Sequence, residues 1–204
     1  MISVTASILA TIIGTLAAVG LRKLRSSLKK AILTVTNLPM VNPEIVTGVS
    51  LMLTFISIYN TLGVLKLGMA TLTLSHTIFC VPYVILSILP KLEQLNPSLY
   101  EAAQDLGCAP VKAFFRVVLP DIMPGILTGM IMAFTLSLDD FIISYFTSGT
   151  VMTLPISIYS MTRKGVSPEI NALSALLFLV VLVLLLIINL RQSVRENADV
   201  VNLR

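Results

Sequence analysis

Long apolar stretches dominate this sequence of 204 residues and restrict the folds open to it. A helix crosses the hydrocarbon core of a bilayer with about 20 predominantly apolar residues. Five stretches match that description: Ile2–Leu21, Pro43–Tyr59, Met69–Leu89, Pro124–Phe146 and Ala172–Leu190. Hydrophobic residues make up 56% of the chain and charged residues 12%, against about 25% charged in a soluble domain. The sequence therefore predicts an all-α polytopic transmembrane helical bundle of about five spans, forming a single domain over residues 1–204.

The first two spans carry features that bear on their packing and shape. Small residues recur with helical spacing along the first span, at Ser7, Thr11, Gly14 and Ala18. Such a stripe lets helices approach closely in lipid. The second apolar stretch begins at Ala31 and contains Pro39 and Pro43. Because proline removes a backbone donor and crowds the preceding turn, we expect both prolines to break this stretch, with the span proper starting at about Pro43.

The distribution of basic residues predicts the orientation of the spans. The net charge is +4, but Lys and Arg concentrate in the loops beside spans, which argues for a membrane partner rather than nucleic acid. Eleven lie in residues 22–30, 90–123 and 191–204, whereas three lie in the segments expected on the opposite side. Cytoplasmic loops carry the excess of Lys and Arg. We therefore expect the central loop, residues 90–123, and the C-terminus to be cytoplasmic.

A polar segment from Asn96 to Pro120 interrupts the apolar chain within the central loop. Asn96 can cap a helix that starts at Pro97, and Gly107 can supply the left-handed residue that ends it. A second short helix can begin near Pro110. The first helix would have an apolar face, made by Leu99, Ala102, Ala103 and Leu106. The segment therefore predicts a helix–turn–helix with one apolar and one charged side, suited to docking.

Six residues of this segment resemble the EAA loop of ABC-importer permeases. They are Glu101, Ala102, Ala103, Gly107, Leu119 and Pro120, and Val117 stands where isoleucine is commoner. The resemblance implies that the loop is cytoplasmic, that its short coupling helix sits in a cleft of an ATP-hydrolysing partner subunit, and that Glu101 faces a basic residue there.

Three further segments resemble one permease subunit of spermidine/putrescine ABC importers: Ser75–Leu86, Ala133–Gly149 and Leu154–Leu173. The resemblance implies a second permease subunit, a pair of ATPase subunits and an extracytoplasmic polyamine-binding protein as partners. Permeases of this family typically have six helices, and this chain looks as though it begins just before the second. Either it is a truncated product or it is a shorter variant.

The sequence contains no motif for enzymatic chemistry. It lacks a G-x-x-x-x-G-K-[ST] loop for nucleotide phosphates, a nucleophile elbow and a His/Cys cluster with metal-ligand spacing. We therefore predict no catalytic residue, cofactor or metal, with ATP hydrolysis left to a partner. Cys80 and Cys108 are expected to stay reduced. His76 could be a relay or a ligand, but we expect it to hydrogen-bond a neighbouring residue in the bundle interior.

Three acidic residues fall within predicted spans: Glu44, Asp139 and Asp140. An isolated charge at mid-bilayer costs about 2.5–3.5 kcal/mol on insertion scales, so these carboxylates need partners, water or a function. On the helix of the fourth span, Asp140 belongs to a polar stripe with Ser137, Ser144 and Thr147, while Asp139 points about 100° away. We expect Asp140 to face a substrate path, with Asp139 on its edge or paired with another helix.

The sequence thus favours a multi-pass permease subunit of the inner membrane that forms half of a polyamine path and couples to an ATPase through residues 90–123. An ABC permease for another small solute remains an alternative, because the loop does not name the cargo. A stand-alone secondary transporter or channel, and a purely structural membrane subunit, are alternatives of different classes.

Overall fold

A computed structural model describes residues 1–22 and 24–163, together with positions 168, 171–172, 174–176, 178–179 and 182. Within these residues the regular structure is entirely helical. In the described part of the chain, four helices are long and apolar enough to cross a membrane: Ile2–Arg22, Glu44–Leu62, Met69–Gln94 and Pro110–Asp139. The described chain is therefore a helical membrane bundle, as predicted. Most of the predicted fifth span, Ala172–Leu190, and all of the tail after it lie outside the described residues.

The chain divides into two compact units, residues 1–156 and 157–204, and the site described below lies in the first. The helices that build this unit are α1 (Ile2–Arg22), α2 (Ser26–Val41), α3 (Glu44–Leu62), α4 (Met69–Gln94), α5 (Pro97–Asp105), α6 (Pro110–Ala113), α7 (Leu119–Asp139) and α8 (Ile142–Thr147). A π-helical segment, Phe114–Val118, joins α6 to α7, and α9 runs from Leu154 to Arg163.

Three helices form the core of this unit, because α4 packs against both α1 and α7, and α1 also contacts α7. The predicted small-residue stripe of α1 is buried. A Cβ added at Gly14 would lie 2.7 Å from Val84 Cγ1, and one added at Gly125 would lie 2.9 Å from the Ser87 carbonyl oxygen. In lipid, such close backbone approach is a main source of helix association. The glycines therefore set how closely α1 and α7 approach α4.

Breaks in the helices differ in part from the sequence expectations. The second stretch is interrupted at Asn42–Pro43, and α3 begins at Glu44, as predicted. The expectation that Pro39 also breaks this stretch is wrong, since α2 continues to Val41. Helix α4 likewise contains Pro82 and Pro90 and extends to Gln94. Membrane helices tolerate proline where local adjustments satisfy the freed carbonyl groups.

The fourth span is also not the continuous helix Pro124–Phe146 that the sequence predicts. Helix α7 starts before Pro124 and ends at Asp139, and Asp140 has an extended backbone with ψ 113°. The shorter helix α8 follows after Phe141. The Asp140 carboxylate accepts hydrogen bonds from the backbone N–H groups of Ile143 and Ser144, at 3.4 and 3.1 Å. An aspartate in this role starts a new helix, and it therefore interrupts the span.

Candidate functional site

The central loop contains the predicted capped helix, α5. The Asn96 side chain accepts a hydrogen bond from the backbone N–H of Ser98 at 3.0 Å, and Pro97 occupies the first turn. At the other end Gly107 has a left-handed φ of +81°. The backbone N–H of Cys108 donates to the Ala103 carbonyl at 3.1 Å, and that of Gly107 donates to the Gln104 carbonyl at 2.8 Å. This pair of bonds is the Schellman arrangement. Together with the Asn96 hydrogen bond, it confirms both predicted caps, one at each end of α5.

The apolar side of α5 points away from the rest of the chain. The side chain of Leu99 is 54% exposed and that of Leu106 88% exposed, and Ala102 is exposed as well. The face towards the bundle instead carries Tyr100, which packs against the core and donates a hydrogen bond to the Pro110 carbonyl at 3.4 Å. Exposed leucines beside a capped, rigid turn form a surface suited to a protein partner.

Glu101 lies at the junction of α5 with the transmembrane core. It lines a cavity of about 290 Å³ together with Arg22, Tyr100, Phe114 and Val118, and it is exposed. The Arg22 guanidinium donates to the Leu95 carbonyl at 3.1 Å, so it holds the end of α4 just before α5 begins. The remaining residues of the motif, Leu119 and Pro120, open α7. Helix α5 packs against α6 and against the π-helical segment Phe114–Val118, which leads into α7.

The three acidic residues singled out by the sequence gather at the two interrupted spans. Glu44 is the exposed first residue of α3, and Asp139 is the exposed last residue of α7. Both lie within range of an electrostatic interaction with Asp140, and Glu44 lies within such range of Tyr83 on α4. Gly48 on α3 also leaves room for α8, since a Cβ there would lie 3.0 Å from the Phe146 ring. The fold therefore concentrates negative charge at one place in the bundle.

Asp140 is buried in the bundle, whereas Asp139 is exposed; which of the two faces a substrate path stays a prediction. The polar stripe does share one face, since Ser137, Asp140, Ser144 and Thr147 are all buried. That face packs against α4, where Thr71 donates to the Thr147 carbonyl at 3.0 Å. Two residues of the stripe, Ser137 and Ser144, also line a cavity of about 290 Å³.

His76 of α4 also contacts the polar stripe across the helix interface. Its Nδ1 lies 2.8 Å from Ser137 Oγ and its Nε2 lies 2.9 Å from Ser144 Oγ. Asp140 Oδ2 is 3.6 Å from the same Nε2. The expectation that this histidine hydrogen-bonds a neighbouring residue is confirmed. The signal available in the sequence was a lone histidine in a span and serines flanking the two aspartates.

Comparisons with known proteins agree with this architecture. Residues 10–195 match the family described as binding-protein-dependent transport system inner membrane component. The chain is 43% identical over 179 residues to the putrescine transport system permease protein PotI of Escherichia coli (strain K12), which covers 86% of this chain and 64% of that protein. It is 36% identical over 185 residues to the spermidine/putrescine transport system permease protein PotC homolog of Mycoplasma genitalium, covering 91% and 64%.

A third relative is the spermidine/putrescine transport system permease protein PotC of Haemophilus influenzae, 37% identical over 193 residues, with 94% of this chain and 72% of that protein covered. The chain thus spans 64% of the length of the first two relatives and 72% of the third. The family match covers nearly all of the described bundle, including the capped central loop. This chain belongs to the family of binding-protein-dependent transport system inner membrane components.

Proposed function

We propose that this chain is a permease subunit of an ABC importer for polyamines, in which it forms half of the translocation path. In this proposal the partners are an ATPase subunit, a second permease subunit and an extracytoplasmic substrate-binding protein, and ATP hydrolysis belongs to the partner. Membership of the family supports the transport role, and the names of the relatives, which refer to putrescine and spermidine, support the cargo.

The observation that carries the choice of cargo is the cluster of Glu44, Asp139 and Asp140 at two interrupted spans. A polyamine has two or more ammonium groups, and removing their hydration shells costs free energy that fixed negative charge can offset. Both Glu44, at the start of α3, and Asp139, at the end of α7, are exposed. Each carboxylate could therefore bind a different ammonium group of the same polyamine. Tyr83, close to Glu44, adds an aromatic face to which a cation is attracted.

Coupling to the ATPase is proposed to run through the six motif residues of the central loop. The capped helix and its exposed apolar face support this role, because a rigid element can transmit force to the bundle. In the proposed orientation this loop and the C-terminus face the cytoplasm. Glu101 would contribute a charge-assisted contact to a basic residue of the ATPase.

Neutralising the exposed acids tests the proposal. We expect Asp139→Asn and Glu44→Gln each to raise the KM for polyamine uptake about tenfold or more, since a desolvated charge contact is worth roughly 1.5–3 kcal/mol. Complex assembly and basal ATPase activity should persist. Lysine at either position should be worse than the neutral variant, because it adds repulsion. The matched control is Asp121→Asn, which neutralises an exposed acid in the first turn of the same helix α7.

The cargo assignment fails if the variant with both exposed acids neutralised imports polyamines with an unchanged KM. Import of a neutral or anionic solute by the same complex would then favour a different small solute. If instead the chain imports cargo without any ATPase subunit, it is a stand-alone transporter and the coupling proposal fails.

A further inference from the structure

The two adjacent aspartates occupy opposite environments. Asp139, the last residue of α7, is exposed. The side chain of Asp140 is only 4% exposed. Both Asp140 oxygens accept backbone hydrogen bonds within the protein, Oδ1 from Ile143 and Oδ2 from Ser144. Because the side chain is buried, a cargo ammonium would have to enter the packed bundle to reach this carboxylate.

Side chains, rather than the backbone, hold the interruption between α7 and α8. Residues 136–147 contain neither glycine nor proline, so the chain could continue as one helix through this region. His76 bridges the gap from α4, with Nδ1 bonded to Ser137 on α7 and Nε2 bonded to Ser144 on α8. The imidazole is 1% exposed. Its geometry therefore fixes how far α8 is displaced from the axis of α7.

We infer that His76 is a positioning residue that holds the interruption open, that Asp140 is its structural counterpart, and that Asp139 is the carboxylate of the pair that meets the cargo. The first two assignments stand on hydrogen bonds and burial alone. The last also rests on the proposed function. Without the His76 contacts, α7 and α8 could join into one continuous helix, which would point the Asp139 side chain in another direction. Loss of those contacts should therefore weaken cargo binding at Asp139.

Thiol accessibility tests the inference without reference to cargo. In the full chain within its membrane complex, the native thiols are removed by Cys80→Ala and Cys108→Ser. The rate of reaction with a water-soluble cationic methanethiosulfonate is then measured for Asp139→Cys and Asp140→Cys. Because thiol reactivity follows exposure, we expect the first to react about tenfold faster or more. Thr150→Cys, exposed in the loop after α8, reports general access and folding.

Three substitutions of His76 then probe the Asp139→Cys thiol. His76→Leu removes both contacts and should change its labelling rate by about fivefold or more. His76→Gln reaches to the position of Nε2 and keeps only the contact with Ser144, whereas His76→Asn reaches to Nδ1 and keeps only the contact with Ser137. Because each variant loses one end of the bridge, both labelling rates should lie between those of the parent and the leucine variant. If the leucine variant fails to accumulate, Ser144→Ala removes one of the two contacts and should change the rate in the same direction.

A double-mutant cycle separates positioning from simple stability. His76→Leu should raise the KM for polyamine in the parent, yet have little further effect on KM once Asp139→Asn is present, because coupled residues are not additive. Additive effects would overturn the positioning role, as would equal labelling at positions 139 and 140 or labelling unaffected by His76→Leu. If the labelling results hold but no variant of the complex imports polyamine, the proposed cargo fails while the assignment of His76 and Asp140 stands.

Discussion

Replacing Gly107 with alanine isolates the contribution of the rigid turn to coupling. Gly107 has φ +81°, and a Cβ built there meets no atom within 4 Å. The substitution therefore creates no steric clash with the rest of the chain and acts through backbone conformation alone. A non-glycine residue in the left-handed region costs about 1–2 kcal/mol. This lowers the ratio of turn-closed to turn-open conformers by a factor of about 5–30.

Gly63 provides a matched control for this substitution. It ends α3 with φ +70°, its N–H bonds the Tyr59 carbonyl, and an added Cβ again meets no atom within 4 Å. Gly63→Ala therefore has the same conformational cost in a loop that, in the proposed orientation, lies on the opposite side of the membrane. Gly107→Asn serves as a rescue, because asparagine enters the left-handed region more readily than alanine.

The assay is the ratio of polyamine imported to ATP hydrolysed, measured with the complex in proteoliposomes. We expect Gly107→Ala to lower this ratio severalfold, Gly107→Asn to restore much of it, and Gly63→Ala to leave it unchanged. Membrane abundance should be similar for all three variants. Equal loss in the two alanine variants, or no loss in either, would refute the reasoning that the Schellman turn after α5 is the element that couples.

Three further expectations concern packing, ion pairs and docking. Gly14→Val should destabilise the purified chain by about 1–3 kcal/mol or more through overpacking in the core, whereas Gly20→Ala, with nothing within 4 Å of its added Cβ, should be neutral or stabilising in thermal unfolding in detergent. The ion pair between Lys29 and Glu93 is partly exposed, so Lys29→Glu should cost at most about 1 kcal/mol, and adding Glu93→Lys should restore the unfolding midpoint. Glu101→Gln should weaken binding of the purified ATPase subunit without changing membrane insertion, and unchanged binding would count against the docking surface.

The spans and the central loop could be predicted because each depends on local chemistry. The thickness of the bilayer fixes the length of an apolar stretch, and Asn96, Pro97 and Gly107 end or start a helix through their own backbone and side-chain preferences. The positions of the prolines predicted the helix breaks less well. Pro43 coincides with a break, but α4 passes through Pro82, because the packing of neighbouring helices decides whether a membrane helix continues.

The interruption at Asp140 was missed because the run around it reads as one apolar span. The available signal was an aspartate, a favoured N-cap residue, but a single sequence does not show that His76 lies opposite it on another helix. The same gap in tertiary information is why the sequence alone does not show that Asp140 is buried while Asp139 is exposed. A second signal was also available: Gly125, Gly129, Ala133 and Ser137 recur every four residues in α7, and all are buried against the bundle.

Import by a reconstituted complex tests the central claim most directly. The measurement compares uptake of radiolabelled putrescine and spermidine into proteoliposomes that contain the ATPase subunit, the second permease and the binding protein, with and without this chain. The account predicts ATP-dependent uptake of both polyamines only when the chain is present, and loss of that uptake when Glu44 and Asp139 are both neutralised. Uptake that does not depend on this chain, or on ATP, would contradict it.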